Sequence, residues 1–131
     1  MVIDASVALR ASVGETGFAE LHGHELFAPP LMWIEAGSGI HELKWRREIP
    51  AHVAEAAMSR LLEAPIAERR PRHLLERAWK IADELGWAKL YDAHYVAAAQ
   101  LLRMPLVTVD ARLRRRAGRV VDVIGPAELA G

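Results

Sequence analysis

The chain is 131 residues long and 52% apolar, enough to bury a core without staples. It has no cysteine, which excludes disulfides, thiol catalysis and cysteine–zinc sites and fits a reducing cytoplasm. Net charge is zero, yet residues 1–43 carry −5 and residues 44–131 carry +5, with arginine clusters at 69–72 and 112–119 that suit either a solvated face or a phosphate backbone. No secretory signal is visible, because Asp4 and Arg10 interrupt any apolar run at the start. The longest uncharged run, 93–102, is far too short to span a bilayer.

In chain order, Val2 and Ile3 read as a buried first strand ending at Asp4, and Ser6 as the N-cap of a helix running to about Val13. Leu26, Phe27 and Ala28 form a second short strand closed by Pro29 and Pro30, and a helix over 31–46 follows. Gly37 and Gly39 lie inside it at a cost of about 1 kcal/mol each relative to alanine, so close packing is expected there. Pro50 opens a third helix, with Ala54, Ala57, Met58, Leu61 and Leu62 at helical spacing. Residues 65–67 read as an edge strand, and 74–85 as a helix stopped by Gly86. The helix over 92–103 is apolar on nearly every side, hence largely buried. Residues 106–109 are the clearest strand, and 120–124 form another after a short arginine-rich helix. Trp33, Trp45, Trp79 and Trp87 sit at apolar helical spacing, which predicts core packing.

Strands alternating with helices predict one α/β domain over 1–131, a parallel sheet covered on both faces. Ligands in such sheets lie beyond the carboxyl ends of the strands, where strand order switches. Asp4 and Asp110 each follow an apolar strand directly. With Glu35, flanked by Trp33, Ile34 and Ala36, and Asp92, at the front of an apolar helix, they are the oddly placed acids. Capping and turn roles account for each acid singly. Converging carboxylates repel one another unless a cation neutralises them, and hard oxygen donors without cysteine point to Mg²⁺ or Mn²⁺ paired with a phosphate-bearing substrate. The six histidines have no zinc-site spacing, and there is no GxSxG elbow or glycine-rich phosphate loop. A dehalogenase-type phosphatase wants a second aspartate where Ser6 stands, and a receiver domain wants an adjacent acidic pair that is missing.

Four stretches carry a resemblance: VIDASV at the start, PPLMWIEAGSGI around Glu35, YDAHYVAAAQLL and PLVTVDARL. Over essentially its whole length the chain resembles the PIN-domain ribonucleases, specifically VapC-type toxins of toxin–antitoxin pairs. The resemblance implies a PIN-like three-layer α/β/α sandwich with a mostly parallel central sheet. It implies a cytoplasmic Mg²⁺- or Mn²⁺-dependent endoribonuclease, a homodimer, and a cognate antitoxin that blocks the site. By position, Asp4, Glu35, Asp92 and Asp110 match the metal-binding acids, while Ser6, Thr108 and Ser38 match small hydroxyls that orient them. Glu42, two turns beyond Glu35, is a candidate substitute for it. The alternative is a catalytically inert PIN scaffold that binds RNA or a protein.

Overall fold

The structure, a computed structural model, describes residues 1–129. Its elements are β1 (Val2–Ile3), α1 (Ala5–Val13), β2 (Leu26–Ala28), α2 (Leu31–Trp45), α3 (Ala51–Leu62), β3 (Ile66–Glu68), α4 (Leu74–Leu85), α5 (Tyr91–Leu102), β4 (Leu106–Val107), α6 (Ala111–Ala117) and β5 (Val123–Ile124). Single 3-10 turns lie at Ala19–Leu21 and Pro126–Glu128.

The five strands pair in parallel in the order β3-β2-β1-β4-β5. Val2, Ile3, Leu106 and Val107 are all fully buried, so the central strands read as unbroken apolar runs. The right-handed rule for parallel crossovers puts α1–α3 on one face as the chain steps outward to β3. It puts α4–α6 on the other face as the chain returns across β1 to β4 and β5. The packing agrees: α1, α2 and α3 contact one another, and α4 packs along α5. This is the expected α/β/α sandwich. Direction reverses between β1 and β4, so the switch point lies where Asp4 and Thr108 leave the sheet.

Helix α5 packs against β1 and β4, and its buried residues include Ala93, Ala97, Ala98 and Ala99, small side chains that suit close packing. Close approach also explains Gly39, where an added Cβ would stand 2.8 Å from Leu9 Cδ2 of α1. Gly37 has only ordinary clearance from Met58. Among the described residues, no helix is long and apolar enough to cross a membrane.

Four expectations need correction. Asp4, not Ser6, caps α1: its backbone is extended and its carboxylate accepts the Val7 N–H. Strand β4 ends at Val107, because the Val109 N–H turns to the Ser6 hydroxyl instead of a neighbouring strand. Strand β5 starts only at Val123, because the N–H groups of Val120 and Val121 close the end of α6 on the Ala117 carbonyl. Two tryptophans are not core residues: Trp45 is 75% exposed and Trp79 63%. The buried stripe of α4 is Leu74, Ala78, Ile81 and Ala82, and Leu75 and Trp79 stand one position round from it, facing out.

Candidate active site

Asp4 leaves β1 with its backbone still in register with β4, and its N–H donates to the Val107 carbonyl. Its side chain turns into the gap between the two strands, where it is 4% exposed. The Ser6 hydroxyl donates to Oδ1 at 2.6 Å, the Val7 N–H donates to the same oxygen at 3.1 Å, and the Thr108 hydroxyl donates to Oδ2 at 2.5 Å. Each hydroxyl has one hydrogen, and with Asp4 ionised both are spent on it. The Ser6–Thr108 oxygen contact of 3.3 Å is therefore a packing contact. Both hydroxyls also accept: Ser6 Oγ from the Val109 N–H, Thr108 Oγ1 from the Asp110 N–H. The orienting role expected of Ser6 and Thr108 is thus visible as hydrogen bonds that tie β1 to the exit of β4.

Beside this buried carboxylate opens a cleft of about 530 Å³, with Glu35, Asp92 and Asp110 on its walls. Asp110 caps α6, where one oxygen accepts the N–H groups of Arg112 and Leu113. Asp92 lies in the first turn of α5, behind Leu90 in the cap position, and caps nothing. Glu35 is held from across the sheet end by Tyr95, whose hydroxyl donates to Oε1 at 2.6 Å.

Burial pushes the Asp4 carboxyl above its ordinary range, against the pull of its hydrogen bonds from Ser6, Thr108 and Val7, and nearby Asp92 pushes it further. Asp92 is raised by desolvation at the cleft wall and then by Asp110, while Arg116 and Arg112 work against both. Burial and the Glu35 carboxylate drive the Tyr95 phenol well above its ordinary value, so it stays a hydrogen-bond donor. Among the described residues, none of the four acids forms an ion pair.

That last fact is the test of fit for a cation. A buried carboxylate without a counter-charge is costly, and an all-oxygen donor set suits a hard divalent ion. Glu35, Asp92 and Asp110 line the cleft and Asp4 lies buried beside it, so the four do not converge: among the described residues, no three His, Asp or Glu side chains stand close enough to share one ion.

The remaining candidates fall away from the cleft. Ser38 is exposed on α2 and makes no hydrogen bond to an acid among the described residues. Glu42 pairs at the surface with Arg46 and does not line the cleft; seven residues of helix carry it about 10 Å from Glu35. Tyr95 was not expected. Its signal was its place three residues after Asp92, which sets both on one helical face.

The PIN domain family model matches residues 1–119. The chain is 34% identical over 114 residues to the VapC ribonuclease Mb0985 of Mycobacterium bovis and, equally, to ribonuclease VapC9 of Mycobacterium tuberculosis, covering 86% of this chain and 87% of each relative. Ribonuclease VapC12 of M. tuberculosis is 27% identical over 127 residues, 94% of this chain and 96% of that one. The crystal structure of PAE2754 from Pyrobaculum aerophilum superimposes with a TM-score of 0.77 at 24% identity, covering 98% of this chain and 92% of that one, which supports the fold. The chain belongs to the PIN domain family.

Proposed function

We propose that the chain is a metal-dependent endoribonuclease, a hydrolase of RNA phosphodiester bonds that serves as the toxin of a toxin–antitoxin pair. The observation that carries this reading is Asp4, a buried carboxylate without a cationic partner at the switch point of the sheet, with Asp92 and Asp110 beside it. Relatives named as ribonucleases support the substrate class. In this reading the whole chain is one PIN domain.

Asp4, Glu35, Asp92 and Asp110 would hold Mg²⁺ or Mn²⁺. When bound, such an ion acidifies a water for attack on phosphorus and neutralises charge on the phosphate. The protein's own part is positioning. Ser6 and Thr108 fix both oxygens of Asp4, and Tyr95 holds one oxygen of Glu35 and leaves the other free. Arg112 and Arg116, which line the same cleft, draw the RNA phosphates in and stabilise the charge that grows in the transition state.

The chain acts in the cytoplasm as a homodimer, and exposed Trp45, Leu62, Leu75 and Trp79 supply apolar surface for such contacts. The cognate antitoxin inserts a segment into the acidic cleft, an arginine being the natural counter-charge. Purified protein is tested on total cellular RNA with Mn²⁺, with EDTA and as Asp92→Asn. Discrete cuts that need metal and vanish in the variant are expected. RNA binding with neither bound Mn²⁺ nor cleavage would favour the inert scaffold instead.

A further inference from the structure

The cleft has a second chemistry that its acids do not use. Helix α4 ends at Gly86, which adopts φ +70° and lets the Trp87 N–H bond back to the Ala82 carbonyl at 2.8 Å. Just beyond this turn, Trp87, Lys89 and Tyr91 line the cleft. Trp87 rests partly against the core, and the Arg116 guanidinium lies over its ring, 4.7 Å from the centroid. Tyr91 is 54% exposed, and no hydrogen bond engages its hydroxyl among the described residues. None of Lys89, Arg112 and Arg116 belongs to an ion pair among the described residues.

Taken singly, an exposed tyrosine or a cation–π pair is ordinary surface chemistry. Here they line the same cleft as Asp92 and Asp110, interleaved with cations. A site that handled phosphate alone would need the charges and not the rings. Flat aromatic and guanidinium faces alternating with cations are what unpaired bases and their phosphates require, since bases stack on such faces and duplex bases are not free to.

Building on the ribonuclease reading, we infer that Tyr91 and the Trp87–Arg116 pair form a stacking platform for bases of single-stranded RNA next to the bond to be cut. Lys89 and Arg112 hold the phosphates between those bases. Two stacked bases on one wall fix the register of the strand, and so select which phosphodiester reaches the acids.

The test is binding of a short, fluorescently labelled oligoadenylate at low salt in EDTA, so that nothing is cut. It is set against an abasic strand of the same length and charge, and the same preparations are assayed on cellular RNA with Mn²⁺. Tyr91→Ala should weaken binding about tenfold, and Tyr91→Phe should bind like the parent and serve as its folded control. Arg116→Lys, which keeps the charge and loses the plane, should also weaken binding. The abasic strand should bind weakly and be indifferent to Tyr91→Ala. If oligoadenylate and abasic strand bind the parent alike, or both variants bind like the parent, while the parent still cuts cellular RNA, the platform is wrong and the ribonuclease reading stands. If the parent neither binds nor cuts RNA, the ribonuclease reading fails and the platform with it.

Discussion

Asp4 and Asp92 meet the same negative field in opposite circumstances. Asp4 is sealed between two strands, with both oxygens committed to three donors. Asp92 stands at the open wall of the cleft and has no hydrogen bond among the described residues. Both carboxyls are pushed upward, each first by loss of water, but Asp4 is then restrained by hydrogen bonds and Asp92 by two arginines. The floor of the site is preorganised by the fold, whereas its wall is left adjustable. On the proposed metal-dependent reading, an incoming cation would meet one carboxylate that does not move and others that can close on it.

The sharpest way to break this comparison is to neutralise each member. Asp4→Asn and Asp92→Asn should each lower RNA cleavage by more than about a hundredfold, beyond the 10–100-fold typical of groups that merely orient ligands. Both should fold, since the amide oxygen introduced by Asp4→Asn can still accept from Ser6 and Val7; circular dichroism and gel-resolved cleavage check the pair. An Asp92→Asn variant that cut normally would place the chemistry elsewhere.

Removing a support separates floor from wall. Thr108→Val keeps shape, but it strips Asp4 of a donor and leaves the Asp110 N–H unsatisfied. Stability should fall by about 1–3 kcal/mol and cleavage by about 10–100-fold, read from urea melts and initial rates.

Acidity tests the electrostatics. A carboxyl raised in the fold binds its proton more tightly folded than unfolded. Its contribution to stability is therefore complete below the ordinary value of 3.8 and is lost as pH rises through the raised value. Metal-free protein should accordingly melt higher near pH 3.8 than at neutral pH, as far as these two groups set it, and the difference should shrink in the Asp4→Asn, Asp92→Asn double variant. At neutral pH, Mn²⁺ should raise the melting temperature of the parent by several degrees, on the order expected for about 2.7 kcal/mol at a hundred times Kd, and that of the double variant by much less. The smallest effect belongs to Glu42→Gln, which breaks only its surface pair with Arg46. Cleavage should not change, and stability should change by less than about 0.5 kcal/mol.

Much of the fold was legible because its signals are local. Apolar runs at 2–3, 26–28 and 106–109, each closed by a proline or an acid, mark strands, although the last is shorter in the fold, ending at Val107. Strand order was not legible, since nothing in Ile3 says that Val107 will be its neighbour. The wrong cap had a local cause too: Asp4 and Ser6 are both good N-caps, and the path of the chain out of β1 decides between them. Trp45 and Trp79 misled because periodicity gives the angle of a residue on its helix but not which angle meets the core. At the site, the four acids stood out by their apolar flanks. Tyr95 did not, since a tyrosine in an apolar helix looks like core until Glu35 arrives from the opposite layer.

The hydroxyl pair that joins β1 to the exit of β4 spans nearly the whole chain, Ser6 at one end and Thr108 at the other. A polypeptide emerging from the ribosome presents Asp4 together with its local donors Ser6 and Val7, yet its second oxygen has no donor until Thr108 has been made and β4 has slid in beside β1. No shorter nascent segment can assemble the acidic cleft. The order of synthesis therefore delays the nuclease site until the segment that carries Thr108 and Asp110 has been made.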